Sequence, residues 1–352
     1  MKAAAITSHG GLDRLTIVDL PEPVPGPGQV RLRVHAAALN HLDLWVRRGL
    51  PGLTLPMPHV IASDVAAVVE SWGEGVNSFK TGQAVVVSPG FGCGGCAACL
   101  GGDESLCRSY HIYGESVPGL MAAQVVVPAL HVLPMPGGLT FGEAAALPLT
   151  FMTAWRMVMN RGGLRPADTV LVLAAASGVG TAALQIARVA GARVIAGASS
   201  EPKRALARSL GADEVVDTST TDWRKQVKAV TGRRGVDLVV EHVGGRTFEA
   251  AMACLAPGGR LVTCGATTGA EAQLNLRHVF FKQLSVVGST MGTRADLTRA
   301  LDLVGQGRLR PVVHGVFPLA QIQQAQQVLE DRQALGKVVL DVSGQASERP
   351  SS

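Results

Sequence analysis

The sequence predicts an α/β chain in which a β-rich N-terminal part precedes a doubly wound parallel sheet. Three observations predict it. Before about Thr140, short apolar or alternating runs are divided by Pro and Gly, the texture of strands and turns. After it, strand-like and helix-like segments alternate, which gives a parallel sheet with helices on its faces. The first of those strands runs through a glycine turn into the first helix, the usual opening of a doubly wound sheet.

The elements follow in chain order. "KAAAIT", "RLTIVDL", "QVRLRVHAAAL", "VAAVVESWG" and "QAVVVSP" are the N-terminal strands. "LPEPVPGPGQ" is a connection, since its prolines exclude both a central strand and a helix. "TFGEAAALPLTFMTAWRMVMN" opens as a helix with Thr140 as N-cap and Glu143 three residues on, a capping box. Six candidate strands come next: "TVLVLAA", "ARVIAGA", "DEVVD", "VDLVVEHVG", "GRLVTCG" and "LSVVGSTMG". Two consecutive helices end alike, "ARVAGA" and "ARSLGA", each with a C-terminal glycine. After Gly292 come one or two helices, a closing strand "GKVVLDV" and a polar end, "SGQASERPSS", expected to fray. The expected division is 1–145 for the β-rich domain, 146–292 for the parallel-sheet domain, and 293–352 for a return to the first.

Length and composition narrow the function. The 352 residues are too many for one ordinary core. Nearly half are apolar, and only 4% are aromatic, so the core is built from Ala, Val and Leu. The net charge of +5 comes from scattered Lys and Arg, the tightest pairs being Arg47-Arg48 and Arg233-Arg234. That is no nucleic-acid footprint. "MKAAAITSHGG" lacks the apolar core of a signal peptide. The uncharged stretch Thr169 to Ala187 is interrupted by Ser177, Gly178, Gly180 and Thr181, so it reads as strand, turn and helix rather than a membrane span. A soluble, cytoplasmic protein is expected.

The turn Ser177, Gly178, Val179, Gly180 marks a dinucleotide site of Rossmann type. A helix start exposes N–H groups and positive dipole, and glycines let a pyrophosphate come close. The next strand ends in Ser199 and Ser200, with Lys203 and Arg204 following. An Asp or Glu is the usual ribose ligand for NAD at that place. Hydroxyls and cations instead favour the 2′-phosphate of NADP(H). The same residues also suit a helix cap followed by surface charges.

Cys93, Cys96, Cys99 and Cys107 are spaced C-x2-C-x2-C-x7-C. Close spacing in a reducing compartment favours a metal over disulfides. Four thiolates close a tetrahedral zinc site and leave no position for water or substrate. The ferredoxin run has a shorter last gap followed by proline, whereas Arg108 follows here. The loop has few large apolar residues, so one structural Zn2+ would supply its folding energy. Cys254 and Cys264 stand alone.

Together "GCGGCAACLGGDESLC", "AAASGVGTAALQIA", "LGADEVVD", "GGRLVTCGATTG" and "GKVVL" resemble, over nearly the whole chain, the medium-chain dehydrogenase/reductase superfamily of zinc alcohol dehydrogenases and quinone oxidoreductases. The resemblance implies a GroES-like catalytic domain with a zinc lobe at about 90–110, a Rossmann domain, and a substrate cleft between them. It also implies a homodimer or tetramer built through the last Rossmann strand, "LSVVGSTMG", and neither membrane nor nucleic-acid partners. By position, Thr153, Thr218 and the turn would hold cofactor. Gly265, Ala266, Thr267, Gly288 and Ser289 would line the nicotinamide end, and Lys337 would meet the pyrophosphate.

The family's alcohol dehydrogenases bind a second, catalytic zinc through Cys, His and Cys. Those places hold Asn40, Ser63 and Leu149 here, with Asp43 and Asp64 alongside. "ALNHLDLW" resembles the Asn-x-x-Asp segment of zinc-free quinone oxidoreductases. Without a Lewis acid, an acceptor that delocalises its own charge is easier to reduce. The expectation is therefore an NADPH-dependent reductase of quinones or α,β-unsaturated carbonyls. Asn40 would donate a hydrogen bond to the reacting carbonyl, Asp43 would orient the segment, and Trp45 would wall the pocket. Asn40 and Asp43 equally suit a helix cap. Two alternatives stand beside this. One is an alcohol dehydrogenase with unorthodox ligands drawn from His41, His59, Asp43 and Asp64. The other is a non-enzymatic nucleotide-binding zinc protein.

Overall fold

The computed structural model describes residues 1–350. The chain forms two compact units. Met1–Leu149 combines with Thr293–Gly307 and with the chain from Pro311 onward, while Thr150–Gly292 and Arg308–Arg310 form the other.

The first unit is organised on the ten-residue strand Gln29–Ala38. It pairs antiparallel with Asp64–Trp72 and Gln124–Pro128, and its last residues Ala36–Ala38 pair with Asp341–Val339. The closing strand Lys337–Asp341 therefore enters this sheet, and Val313–Pro318 lies parallel beside it. A smaller sheet places Lys2–Ile6 between Leu15–Asp19 and His59–Val60. The buried residues are mostly Ala, Val and Leu, whose small volumes let backbones pack closely. The tail is not frayed as expected. Ala346 is fully buried, its carbonyl accepts from Gly142 N–H at 2.7 Å, and Glu348's carbonyl accepts from Phe141 N–H at 3.0 Å. A start of a helix needs acceptors for its free N–H groups, and the tail backbone supplies them. Ser351 and Ser352 lie outside the described residues.

The predicted helix after Thr140 forms with its capping box: Glu143 N–H donates to Thr140 Oγ1 at 3.2 Å and Thr140 N–H to Glu143 Oε2 at 2.8 Å. It runs only over Phe141–Ala145, and a second helix starts at Pro148. Proline has no N–H to continue the first helix and suits the first position of the next.

The second unit carries a six-stranded parallel sheet. Its spatial order is Glu214–Asp217, Arg193–Ala198, Thr169–Val172, Val236–Glu241, Leu255–Thr263, Ser285–Gly288. In chain order that is 3-2-1-4-5-6, the Rossmann order. Its central strands are almost entirely buried, because helices on both faces demand continuous apolar runs. Gly191 and Gly211, at φ +83° and +91°, end their helices as the sequence predicts. The order reverses beside Thr169–Val172, and ligands of such sheets bind where it reverses.

Candidate active site

Within the second unit, the glycine turn lies at that reversal. Ser177 caps the helix Gly178–Val189, its Oγ accepting from Gly180 N–H at 3.0 Å. A Cβ at Gly180 would stand 2.3 Å from the carbonyl of Ala174, so only glycine lets helix and strand meet this closely. Ser177 Oγ also bonds His242 Nε2 at 3.0 Å. Thr267 Oγ1 donates to the His242 carbonyl at 3.5 Å. Ser177 and Thr267 thus converge on His242, a buried residue just past the fourth strand that sequence reasoning missed. Its signal was a polar residue at the C-terminal end of an apolar strand, "VDLVVEHVG". The preceding Glu241 is a structural acceptor: fully buried, it takes N–H bonds from Val243 and Gly244 and the hydroxyl of Thr247.

At the end of the second strand, Ser200 begins the helix Glu201–Ser209. No carboxylate lies on Gly197–Ser200. Asp217 is brought in from the next strand, in register with Ala198. Arg204 pairs with it at 2.8 Å and with Glu201 at 3.0 Å. The Ser219 hydroxyl and N–H together hold the Asp217 carboxyl below its ordinary value. Thr218 N–H donates to the Ala198 carbonyl at 3.1 Å. Nearer the last strand, Ser289 N–H donates to Thr263's carbonyl at 2.9 Å, and its buried Oγ has no hydrogen-bond partner among the described residues. Thr153 Oγ1 is 3.9 Å from Met291 Sδ.

A separate polar cluster lies within the first unit, at the three places where the family's catalytic metal ligands would fall. Asn40 is the N-cap of His41–Arg48, and its N–H donates to Asp43 Oδ2 at 2.7 Å. Asp43 Oδ1 accepts from Ala62 N–H at 2.9 Å. Ala62 has φ +72° and packs against the backbone-side faces of Gly114 and Gly119, where a Cβ would clash. Burial pushes the Asp43 carboxyl up to about 6, and its two N–H bonds oppose that rise. Asn40 Nδ2 donates to Asp64 Oδ2 at 2.9 Å, and Asp64 Oδ1 accepts from Leu149 N–H at 2.8 Å. Lys337 Nζ donates to Asn40 Oδ1 at 2.5 Å and to Asp64 Oδ2 at 2.8 Å. Ser63 Oγ donates to Tyr113's carbonyl at 2.7 Å. Asn40, Asp43, Asp64 and Lys337 are all buried. Trp45 is half-buried, edge-on to His41 at 6.4 Å.

This cluster does not fit a catalytic zinc. An amide, a hydroxyl and a leucine offer no thiolate or imidazole, and an ammonium already occupies the side of Asp64 toward Asn40. Nor does the alternative set assemble. Asp43 and Asp64 are engaged as above, and His41, His59, Asp43 and Asp64 do not converge among the described residues. Lys337, expected at a pyrophosphate, has two of its three donors directed to Asn40 and Asp64.

Among the described residues, the cysteines do converge. Ligand sulfurs of Cys93, Cys96, Cys99 and Cys107 lie within 4.8 Å of one another, compatible with the ~3.8 Å sulfur separations that Zn–S bonds of about 2.3 Å require. Backbone N–H groups of Gly95 and Cys96 hold Cys93 down to about 6, while burial pushes Cys99 up to about 12. A Cβ at Gly92 would lie 2.6 Å from Cys99 Sγ, so glycine is needed for the loop to close around its sulfurs. The lobe is tied to its unit where Arg294 N–H donates to Glu104 at 2.6 Å. The donor set fits a structural Zn2+.

Fold and sites define a Rossmann-type oxidoreductase with a tetrathiolate lobe. Residues 26–137 match the alcohol dehydrogenase GroES-like domain and residues 178–306 the zinc-binding dehydrogenase domain. The chain is 31% identical to the synaptic vesicle membrane protein VAT-1 homolog of Rattus norvegicus, over 97% of this chain and 84% of that one. It is 30% identical to acryloyl-coenzyme A reductase of Metallosphaera sedula, over 97% and 99%. A solved NAD-dependent alcohol dehydrogenase matches with a TM-score of 0.94 and 48% identity, over 97% and 99%. The chain belongs to the medium-chain dehydrogenase/reductase superfamily.

Proposed function

We propose that this protein is an NADPH-dependent reductase of conjugated acceptors, quinones or α,β-unsaturated carbonyls. The observation that carries the reading is the replacement of the family's catalytic ligands by Asn40, Ser63 and Leu149, beside a buried Asp64–Lys337 pair. Such a site has hydrogen-bond donors and fixed charge for a developing oxyanion but no Lewis acid. A reduced nicotinamide supplies the hydride. As it adds to the far carbon of an enone, the double-bond electrons move onto the carbonyl oxygen. Asn40 would hold that oxygen by its amide N–H. Asp43 fixes Asn40 at the head of its helix, and Trp45 walls the pocket. The enolate takes its proton from water.

For the cofactor, Ser177, Gly178, Val179 and Gly180 would cradle the pyrophosphate. Ser199, Ser200, Lys203 and Arg204 would take the 2′-phosphate, Arg204 being held ready by Asp217. Thr153, Thr218, Gly265, Ala266, Thr267, Gly288 and Ser289 would line the rest, with His242 orienting Ser177. The remaining donor of Lys337 is suited to a phosphate oxygen. The acryloyl-coenzyme A reductase relative supports an enoyl substrate. The structure described as an NAD-dependent alcohol dehydrogenase favours a second reading, alcohol oxidation with NAD.

No helix among the described residues is long and apolar enough to cross a membrane. A cytoplasmic homodimer is proposed. The edge strand Ser285–Gly288 and the exposed Leu276, Phe280, Phe281 and Val286 support association through that edge. NADPH and NADH oxidation should be followed against quinones, enones, enoyl thioesters and aldehydes, with zinc measured on the same sample. One zinc per chain and turnover of conjugated acceptors support the proposal. Two zincs, or alcohol oxidation alone, sink it.

A further inference from the structure

Asparagine amides usually leave their orientation to be argued from neighbours. At Asn40 the neighbours decide it without ambiguity. The Lys337 ammonium has only donors, so the atom 2.5 Å from its Nζ must be the amide oxygen. On the other side stands Asp64, whose Oδ2 already accepts from Lys337 and whose Oδ1 accepts from Leu149 N–H. It faces Asn40 as an acceptor and takes one amide hydrogen at 2.9 Å. Reversing the amide would set its NH2 against an ammonium and its oxygen against a carboxylate. The backbone is pinned too, by the bond from Asn40 N–H to Asp43. One amide hydrogen is left over, and among the described residues nothing accepts it.

We propose that Lys337 and Asp64 are positioning residues that lock Asn40 with this second N–H presented to the substrate oxyanion. The inference rests on the reductase reading above and assigns the two residues a task within it. The lock also tunes the donor. A cation on the amide oxygen draws electron density out of the nitrogen and makes the remaining N–H more acidic, as chains of polarised hydrogen bonds do. Asn40 lies between the end of one strand and the helix it caps, while Asp64 and Lys337 each open a further strand. Nothing local in the chain would hold them together for capping alone, since the cap is completed by Asp43.

The experiment is a double-mutant cycle on the full chain, read as kcat and KM for reduction of an enone at saturating NADPH. Asn40→Ala should lower kcat by about a hundredfold, the scale of losing one oxyanion donor. Lys337→Met should lower it by about tenfold with little change in KM for the enone, and Lys337→Arg should recover part of the loss. The double variant should be no slower than Asn40→Ala alone, because Lys337 acts only through that amide. Losses that multiply in the double variant overturn the proposal. So does a Lys337→Met enzyme that keeps its kcat while its KM for NADPH rises, which is the signature of a phosphate ligand alone. Should Lys337→Met fail to fold, Asn40→Asp decides: it keeps an acceptor toward Lys337 but has no N–H, so retained turnover overturns the proposal and a loss matching Asn40→Ala supports it. A wild-type chain inert toward every conjugated acceptor removes the reductase reading itself, and this inference with it. An active wild type with multiplying losses removes this inference only.

Discussion

The first unit holds two polar centres of opposite construction. The cysteine lobe draws its four ligands from Cys93 to Cys107, a short loop with almost no apolar packing of its own. The Asn40–Asp64–Lys337 cluster joins buried residues as much as 297 positions apart, brought together by strand pairing. A bound ion would supply the lobe's order, because the loop buries little to offset chain entropy. The polar cluster obtains its order from the sheet and would collapse only with it. Four thiolates on one zinc would leave the lobe no open position for chemistry. The cluster keeps a donor unmatched.

The largest expected effect breaks the lobe. Cys96→Ser should drop zinc from one per chain to none and make residues near 90–110 sensitive to protease, measured by metal analysis and limited digestion. If the lobe stays protected without metal, the contrast fails. Next, Asp64→Ala leaves the Lys337 ammonium buried without its carboxylate. It should cost about 3–5 kcal/mol in urea unfolding, with the zinc retained. A loss of zinc instead would mean that the two centres share one scaffold.

A smaller effect is expected at Asp43. Asp43→Asn replaces one of two acceptors by an NH2 facing an N–H, and should cost about 1–3 kcal/mol. Its pH dependence has a definite sign. Burial raises the folded pKa from 3.8 to about 6. The folded state therefore holds this proton more tightly, and the resulting stability is fully present below the unfolded value and lost as pH rises through about 6. Wild type minus variant, measured at pH 5 and pH 7, should therefore grow toward pH 5, because the variant cannot take up the proton. An unchanged difference would show that Asp43 does not titrate there. The smallest effect lies outside both centres. Arg204→Ala should raise KM for NADPH about tenfold, as loss of a charge-assisted bond implies, and leave KM for NADH nearly unchanged.

Much of this architecture was legible from local pattern. The capping box of Thr140 and Glu143, the glycines at 191 and 211, and the turn Ser177 to Gly180 are properties of a few adjacent residues. Less was legible where a distant partner intervenes. The polar tail after Asp341 looked free because its acceptors serve a helix start some 200 positions earlier. The pairing of Arg204 with Asp217 is equally invisible along the chain, because Asp217 arrives from the neighbouring strand. The bonds of Lys337 to Asn40 and Asp64 carry no spacing signal, because those partners lie across the sheet. His242 was passed over because one polar residue after an apolar strand carries no spacing signal.

The sequence by itself determined the Rossmann alternation and the metal-binding spacing, since each is written in residue type and separation along the chain, and its resemblance to the family implied the loss of the catalytic zinc ligands. Only the tertiary structure decided what the residues at those places bond to and which way the Asn40 amide faces. Strand pairing brings the chain's beginning and end together, and hydrogen bonds depend on angstrom-scale distances that separation along the chain does not encode.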